Sequence, residues 1–235
     1  MVTVSIICPF YNERDNLEEL VERIAKTLSK FYDISEIELV MVDDGSTDNS
    51  DVIMRKLAEK YSSIKLITHN KKMGQAAALS SGFLSAGGDI VITMDADLQV
   101  FPEDLPLFLD KMNRGYDLVN GIRLNRKELL LLRLSSKFFS FLVSILLNTP
   151  IKDAASNFIA VRKEFVKNLN LTVNDHRYII PIIKKRGAIK IAEVKVRHAK
   201  RYKGKSKYKL SKIISAVPEL FSFYSRLKRG YYNLN

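Results

Sequence analysis

Four short runs of aliphatic and β-branched residues divide the first hundred positions: Val2 to Cys8, Ile37 to Val42, Ile64 to Thr68 and Ile90 to Ile92. Each reads as a strand, and the first and last, apolar nearly throughout, read as strands buried on both faces. Helical periodicity fills the gaps. Leu17, Leu20, Val21, Ile24 and Leu28 share one helical face, a second helix runs from about Ser50 to Lys60, and an Ala-rich helix from Ala76 to Ser85 ends at Gly87-Gly88. Asp15, with Glu18 three residues later, resembles a capping box for the first helix, and Pro102-Glu103 reads as the opening of another. Strands alternating with helices at this spacing require a mostly parallel sheet with right-handed crossovers, so the fold class is α/β.

In such a sheet the carboxyl ends of the strands share one edge, and ligands of open α/β sheets bind there. Three strand ends carry polar motifs: Pro9-Phe10-Tyr11-Asn12-Glu13, Asp43-Asp44-Gly45-Ser46-Thr47-Asp48 and Asp95-Ala96-Asp97-Leu98-Gln99. Tyr11 offers a ring face to a base, while Glu13 and Asp44 can accept hydrogen bonds from ribose hydroxyls or a base N–H. Gly45 lets the backbone turn sharply. Asp95, Asp97 and the Gln99 amide form a hard oxygen set suited to Mg²⁺ or Mn²⁺. Asp-x-Asp alone also suits a solvated polar turn, and the second motif alone suits a turn with a helix cap. Three such motifs on one edge describe a nucleotide-sugar site better than three unrelated turns. The chain contains no G-x-G-x-x-G or G-x-x-x-x-G-K-[ST] pattern, so the dinucleotide and P-loop readings lose their main support. His69, His176 and His198 are too scattered for a zinc site, and no Gly-x-Ser-x-Gly elbow is present.

The formal charge of +12 and the pI near 9.6 call for an anionic partner, and 46% hydrophobic residues suffice for a sizeable core. Much of the positive charge lies between Lys184 and Arg229. Nucleic acid fits that charge, but it would leave three acidic strand ends facing a polyanion. The run from Lys195 to Lys212, with Gly204 and Ser206, reads as a basic lid loop. Cys8 is the sole cysteine, which excludes an intramolecular disulfide, fits a reducing compartment and reads as a packing residue. The first strand lacks a basic leader and no long uncharged apolar stretch occurs, so neither a signal peptide nor a transmembrane helix is expected.

Leu129 to Leu147, interrupted by Arg133 and Lys137, reads either as an in-plane interfacial helix or as a core helix. Leu210, Ile213, Ile214 and Val217 share a helical face that Pro218 is expected to break. The aromatic and basic residues after it suit an anionic leaflet or a partner surface.

Together, PFYNE, DDGSTD, Gly74-Gln75, DADLQVFPE and Val119-Asn120-Gly121-Ile122-Arg123 resemble the family 2 glycosyltransferases of GT-A fold, a Rossmann-like nucleotide-diphospho-sugar transferase fold. LRLSSKFFS, DAASNF, RYIIPIIKKRG and RHAKRYKGKSKY are similar to the polyprenyl-phosphate glycosyltransferases, a group that includes dolichol-phosphate mannose synthase. The resemblance covers residues 2 to about 208. It implies that Pro9, Tyr11, Glu13 and Asp44 hold the nucleoside, with Gln75 nearby. Asp95, Asp97 and Gln99 would bind the metal and, through it, the donor diphosphate. Arg123 and Arg133 would cradle the acceptor phosphate with a hydrogen bond from Ser136, and Arg201 and Lys207 would close over the donor phosphates. Asp97, Arg123, Arg133 and Arg201 carry the catalytic expectation. Asn157 departs from the glycine usual in relatives before an aromatic residue, and the transmembrane helices with which many relatives continue are not expected.

The implied organisation is a catalytic domain over residues 1–208, including the helix at about 129–147, and an amphipathic membrane- or partner-associating tail over 209–235. The implied reaction is inverting, metal-dependent transfer of a hexose from a GDP-mannose or UDP-glucose type of donor to a polyprenyl (dolichyl) monophosphate. It would take place at the cytoplasmic face of a membrane with the protein held peripherally, alone, as a homo-oligomer or with a membrane-protein partner, and with no nucleic acid involved. A second reading is transfer to a saccharide hydroxyl, which needs a base, and Asp175 is the nearest candidate. A third is a nucleotide-binding scaffold without catalysis.

Overall fold

The structure is a computed structural model that describes residues 2–30, 37–124, 141, 143–149, 151, 153, 156–199 and 216–234. Strands β1 (Val4–Phe10), β2 (Ile37–Asp43), β3 (Ile64–Thr68), β4 (Ile90–Thr93), β5 (Leu118–Arg123), β6 (Ile159–Arg162) and β7 (Ile191–Val196) form one sheet. Their order is β3-β2-β1-β4-β6-β5-β7. Strands β1 to β4 pair in parallel, as do β5 and β7, while β6 runs against both β4 and β5. The expected mostly parallel α/β sheet is present, and β6 alone is reversed.

The β1 pattern shows why its sequence is apolar at every position but Ser5. Val4, Ile6, Cys8 and Phe10 face one side, against α1 (Arg14–Leu28), α2 (Ser50–Lys60) and α4 (Leu105–Asn113), and Ile7 faces the other. That second side is covered by α3 (Gln75–Ser85), α5 (Ile179–Lys185) and α6 (Ala216–Lys228). Side chains alternate across a strand, so a strand covered on both faces is hydrophobic on both, and buried Ser5 is accommodated by donating to Glu38 Oε1 at 2.8 Å. Ile6 and Ile7 are fully buried, and each contributes roughly 1.5–3 kcal/mol by leaving water. Helix α3 lies close on the sheet because residue 82 is glycine. A Cβ there would stand 2.4 Å from Ile7 Cγ2, so Gly82→Ala would push the helix off.

Several local expectations are corrected. β1 continues to Phe10, because Pro9 falls where β4 has already stopped pairing and only β2 remains alongside, a position that tolerates a missing N–H. α1 begins at Arg14 with no side-chain cap from Asp15, which sits inside the first turn. Its first amides are satisfied across the fold instead, with Glu13 N donating to Ser50 Oγ at 3.1 Å and Arg14 N to Asp48 Oδ2 at 3.3 Å. Pro102 opens a 3₁₀ turn (Pro102–Asp104) that leads into α4. Pro218 lies inside α6, whose range runs on past it to Lys228, while Leu210, Ile213 and Ile214 of the helix it was expected to break lie outside the described residues.

In the tail, Leu220, Phe223 and Tyr232 are buried in the core while Phe221, Tyr231 and Leu234 are exposed. Of the helix expected at 129–147, the described part is helical at 141 and 143–146. Val143 is buried there, and Phe141 and Ile145 are exposed. No helix among the described residues is long and apolar enough to cross a membrane.

Candidate active site

Strand order reverses between β1 and β4, since β1 to β3 wind one way and β4 lies on the other side of β1. A cleft of about 250 Å³ opens at the carboxyl edge there. Pro9, Tyr11 and Glu13 from the end of β1 line it, with Asp44 after β2, Gln75 at the start of α3, and Asp95 and Asp97 after β4. The three acidic strand ends therefore meet. The reversed strand adds a fourth contributor. Because β6 pairs Ile159 with Thr93, its leading residue Asn157 arrives at the same edge, with Asn157 Nδ2 3.5 Å from Asp95 Oδ2. The Asn157 carbonyl accepts the Thr93 hydroxyl at 2.5 Å, which pins that backbone.

The first two loops are laced together. Asn12 N donates to Ser46 Oγ at 3.0 Å, and Thr47 N donates to Asn12 Oδ1 at 2.8 Å. Gly45 has φ +72°, and a Cβ there would come within 2.5 Å of the Lys71 carbonyl carbon, so both conformation and space demand glycine. Asp44 is buried and heavily engaged. It accepts Met73 N and Gly74 N, both at 2.8 Å, and meets His69 Nδ1 at 3.1 Å. His69 Nε2 in turn contacts Ser81 Oγ at 2.9 Å. Asp44 thus shapes the cleft wall by holding the 72–74 turn against β2.

Asp95 is the electrostatic focus. Burial, and then the neighbouring Asp97 carboxylate, raise its pKa to about 6, against the opposing pull of Arg123 and hydrogen bonds from Asn157 and Gln75. Gln75 Nε2 donates to Asp95 Oδ1 at 2.8 Å, and Gln99 N to Asp97 Oδ1 at 3.1 Å. Two carboxylates held so close that one resists ionisation form a site short of positive charge, and that fits a divalent cation. Gln99, the third residue of the expected metal set, also reaches the segment after β7. Gln99 is absent from the cleft lining, its side-chain amide donates to the Ala199 carbonyl at 3.4 Å, and its own carbonyl accepts Ala199 N at 2.9 Å. Among the described residues no cluster of three His, Cys, Asp or Glu side chains could hold a metal. A cation at Asp95 and Asp97 would have to complete its shell from the donor's diphosphate and water, as Mg²⁺ sites commonly do.

Arg123 ends β5 at the same edge. It forms a two-pronged pair with Asp153, Nε to Oδ2 and Nη2 to Oδ1, both at 2.8 Å. That pairing engages two of the five guanidinium N–H donors and fixes the plane of the group. Arg133, Ser136, Arg201 and Lys207 lie outside the described residues.

Sequence reasoning did not single out Lys72 as a site residue. Its ammonium stands 3.7 Å from the centre of the Tyr11 ring, on the cleft wall. The only signal was its place two residues before Gly74. Cys8 is fully buried behind Asp95, and burial pushes its thiol far above the usual range, as a packing residue requires.

A family model described as glycosyl transferase family 2 matches residues 5–169, which include every described motif of the cleft. The chain is a family 2 glycosyltransferase. Undecaprenyl-phosphate 4-deoxy-4-formamido-L-arabinose transferase of Edwardsiella ictaluri is 35% identical to it over 221 residues, 92% of this chain and 66% of that protein. The protein of the same name from Proteus mirabilis is 33% identical over 93% of this chain and 67% of its own length. This glycosyltransferase chain thus spans about two thirds of the length of those relatives. Among solved structures, the glucosyl-3-phosphoglycerate synthase of Mycobacterium tuberculosis with Mn²⁺, UDP-glucose and phosphoglyceric acid superposes with a TM-score of 0.72, covering 97% of this chain and 80% of that one at 19% identity. The GT-A fold of this glycosyltransferase is established by that likeness, which at such identity speaks to fold alone.

Proposed function

We propose that this glycosyltransferase moves a sugar from a nucleotide donor to a polyprenyl monophosphate, with inversion and with help from a divalent metal. The observation that carries the reading is the pair Asp95 and Asp97 at the reversal of strand order, with the Asp95 carboxyl held near pH 6 by burial and by its neighbour. The relatives' shared name, with its undecaprenyl phosphate, supports the acceptor class.

In this reading Tyr11, Glu13 and the 72–74 turn braced by Asp44 hold the nucleoside and its first phosphate. Asp95 and Asp97 hold the metal, which when bound neutralises charge developing on the leaving diphosphate. Gln75 and Asn157 orient Asp95. Arg123, kept planar by Asp153, directs the acceptor phosphate, with Arg133 and Ser136 as further partners. Arg201 and Lys207 cover the donor phosphates. A phosphate monoester has a second pKa near ~6 and is mostly dianionic at pH 7, so attack needs orientation rather than a general base.

Asp175 speaks against the saccharide-acceptor reading. It is wholly buried and engaged by Thr172, Arg226 and Tyr232, with no cleft contact, so it is not a base for that chemistry. The high positive charge and the exposed Phe141 and Ile145 support peripheral attachment to an anionic membrane face, on the cytoplasmic side where nucleotide sugars would be available.

The expected GDP-mannose or UDP-glucose donor draws no support from the relatives, whose named sugar is 4-deoxy-4-formamido-L-arabinose. The test is therefore a panel. Purified protein with Mg²⁺ or Mn²⁺ receives GDP-mannose, UDP-glucose or a nucleotide-activated 4-formamido-arabinose, each radiolabelled, with undecaprenyl or dolichyl phosphate. Label moving to the organic phase with one donor, and not in Asp97→Ala, is the expected result. Donor hydrolysis without lipid label would overturn the acceptor assignment.

A further inference from the structure

A second cavity, of about 210 Å³, lies between the turn after β6 and the end of the chain, and shares no residue with the cleft. The turn follows the trailing end of β6, which pairs with the start of β4, so the cavity belongs to the opposite, amino edge of the sheet. Arg186, just past the C-terminus of α5, lines it and is 6% exposed. Its Nη1 donates to the Phe165 carbonyl at 2.8 Å and its Nη2 to the Lys167 carbonyl at 3.0 Å. Its buried Nε has no partner, and no carboxylate pairs with it among the described residues. Burial draws its pKa below the usual guanidinium range, with no acid to oppose the effect.

A guanidinium cannot escape its charge by losing a proton, and two neutral carbonyl partners leave that buried charge without a counter-anion. The rest of the cavity wall suits an anion's edges. Asn168, Asn170 and Asn233 supply amide donors and the half-exposed Tyr231 supplies a ring wall. Asp175 lies behind Tyr232, whose hydroxyl donates to it at 2.7 Å, and is already neutralised by Arg226 at 2.6 Å. Lys184 and Lys185 in the last turn of α5 add to the positive field.

We infer that this cavity is a second, non-catalytic binding site for a phosphoryl oxyanion, with Arg186 as its charged anchor and the three asparagines as its frame. The ligand is a free phosphate monoester or the phosphomonoester headgroup of a lipid such as phosphatidic acid, both of which present the same PO₃ group. Occupancy would tie α6 and the chain end to the turn after β6. The proposal stands apart from the transfer reaction.

The chain has no tryptophan, so Tyr231→Trp places a unique fluorophore in the cavity wall. Its emission is followed in the full chain during titration with inorganic phosphate, against chloride at equal ionic strength to remove screening effects. A second arm uses phosphatidylcholine vesicles with and without phosphatidic acid. A saturable shift with phosphate, weakened at least about tenfold when Arg186→Met is added, is the expected result. A shift only with phosphatidic acid, with the same dependence on Arg186, supports the site and names the lipid as its source. No shift in either arm, or an equal shift in Arg186→Met, overturns it. If Arg186→Met does not fold, Asn233→Ala takes its place. The side-chain amide signals of Asn168 and Asn170 in ¹⁵N-labelled protein then give the same readout.

Discussion

Asp95 shows how one carboxylate can lower stability and still be kept. Its pKa in the folded chain, about 6, lies above the ordinary aspartate value of 3.8, so the folded state binds this proton more tightly than the unfolded chain does. The stability tied to that proton is present at low pH and is lost as pH rises through about 6. At pH 7.5 the ionised group therefore burdens the metal-free protein. Asp95→Asn is expected to raise stability there by roughly 1–2 kcal/mol, with a smaller gain at pH 5, and to erase any stabilisation by Mn²⁺ with a nucleoside diphosphate. Thermal denaturation at both pH values with and without metal checks all three. Lys72 offers a second residue-scale test. As a cation over Tyr11 on the cleft wall, it is predicted to contact the donor, so Lys72→Ala should raise the donor KM about tenfold and leave kcat within about twofold. Steady-state kinetics over a donor series decides it. Asp95 and Asp97 were legible because a strand's end is written in its composition. The contact between Gln99 and Ala199 was not, because β7 brings that partner in from one hundred residues downstream.

At the scale of elements, the four strands of the first half could be read to within two residues at each end, because short runs of aliphatic and β-branched residues between turn signals favour strands. β6 was harder. It is four residues long, reversed, and preceded by a stretch with no periodic signature, yet it delivers Asn157 to Asp95. The tail's inward contacts were illegible for a similar reason. Leu220, Phe223 and Tyr232 have the composition of an interfacial helix, but Tyr178 stacks on Phe223 with ring centres 4.2 Å apart, and Asp175 gathers Arg226 and Tyr232. Those contacts cross more than forty positions and leave no local mark. Asp175→Asn should thus act on stability rather than chemistry. Removing the buried charge partner of Arg226 is expected to cost about 3 kcal/mol, read as a lower urea midpoint, while the folded fraction keeps its turnover. Loss of turnover in fully folded Asp175→Asn would revive the reading of a base at that position.

Over the whole molecule, chemistry and charge are divided between opposite features. The acidic strand ends converge on one edge of the sheet, and the net charge of +12 comes largely from the basic second half. That division suits an enzyme whose two proposed substrates are anions and whose own acids serve a metal. The account turns on whether the cleft between β1, β2 and β4 takes a nucleoside diphosphate through a cation at Asp95 and Asp97. The direct measurement is Mn²⁺ binding followed by electron paramagnetic resonance, with UDP and GDP added in turn. The account predicts one Mn²⁺ bound per chain when the matching diphosphate is present, and loss of that binding in Asp95→Asn/Asp97→Asn. Undiminished Mn²⁺ and diphosphate binding in the folded double variant would contradict it.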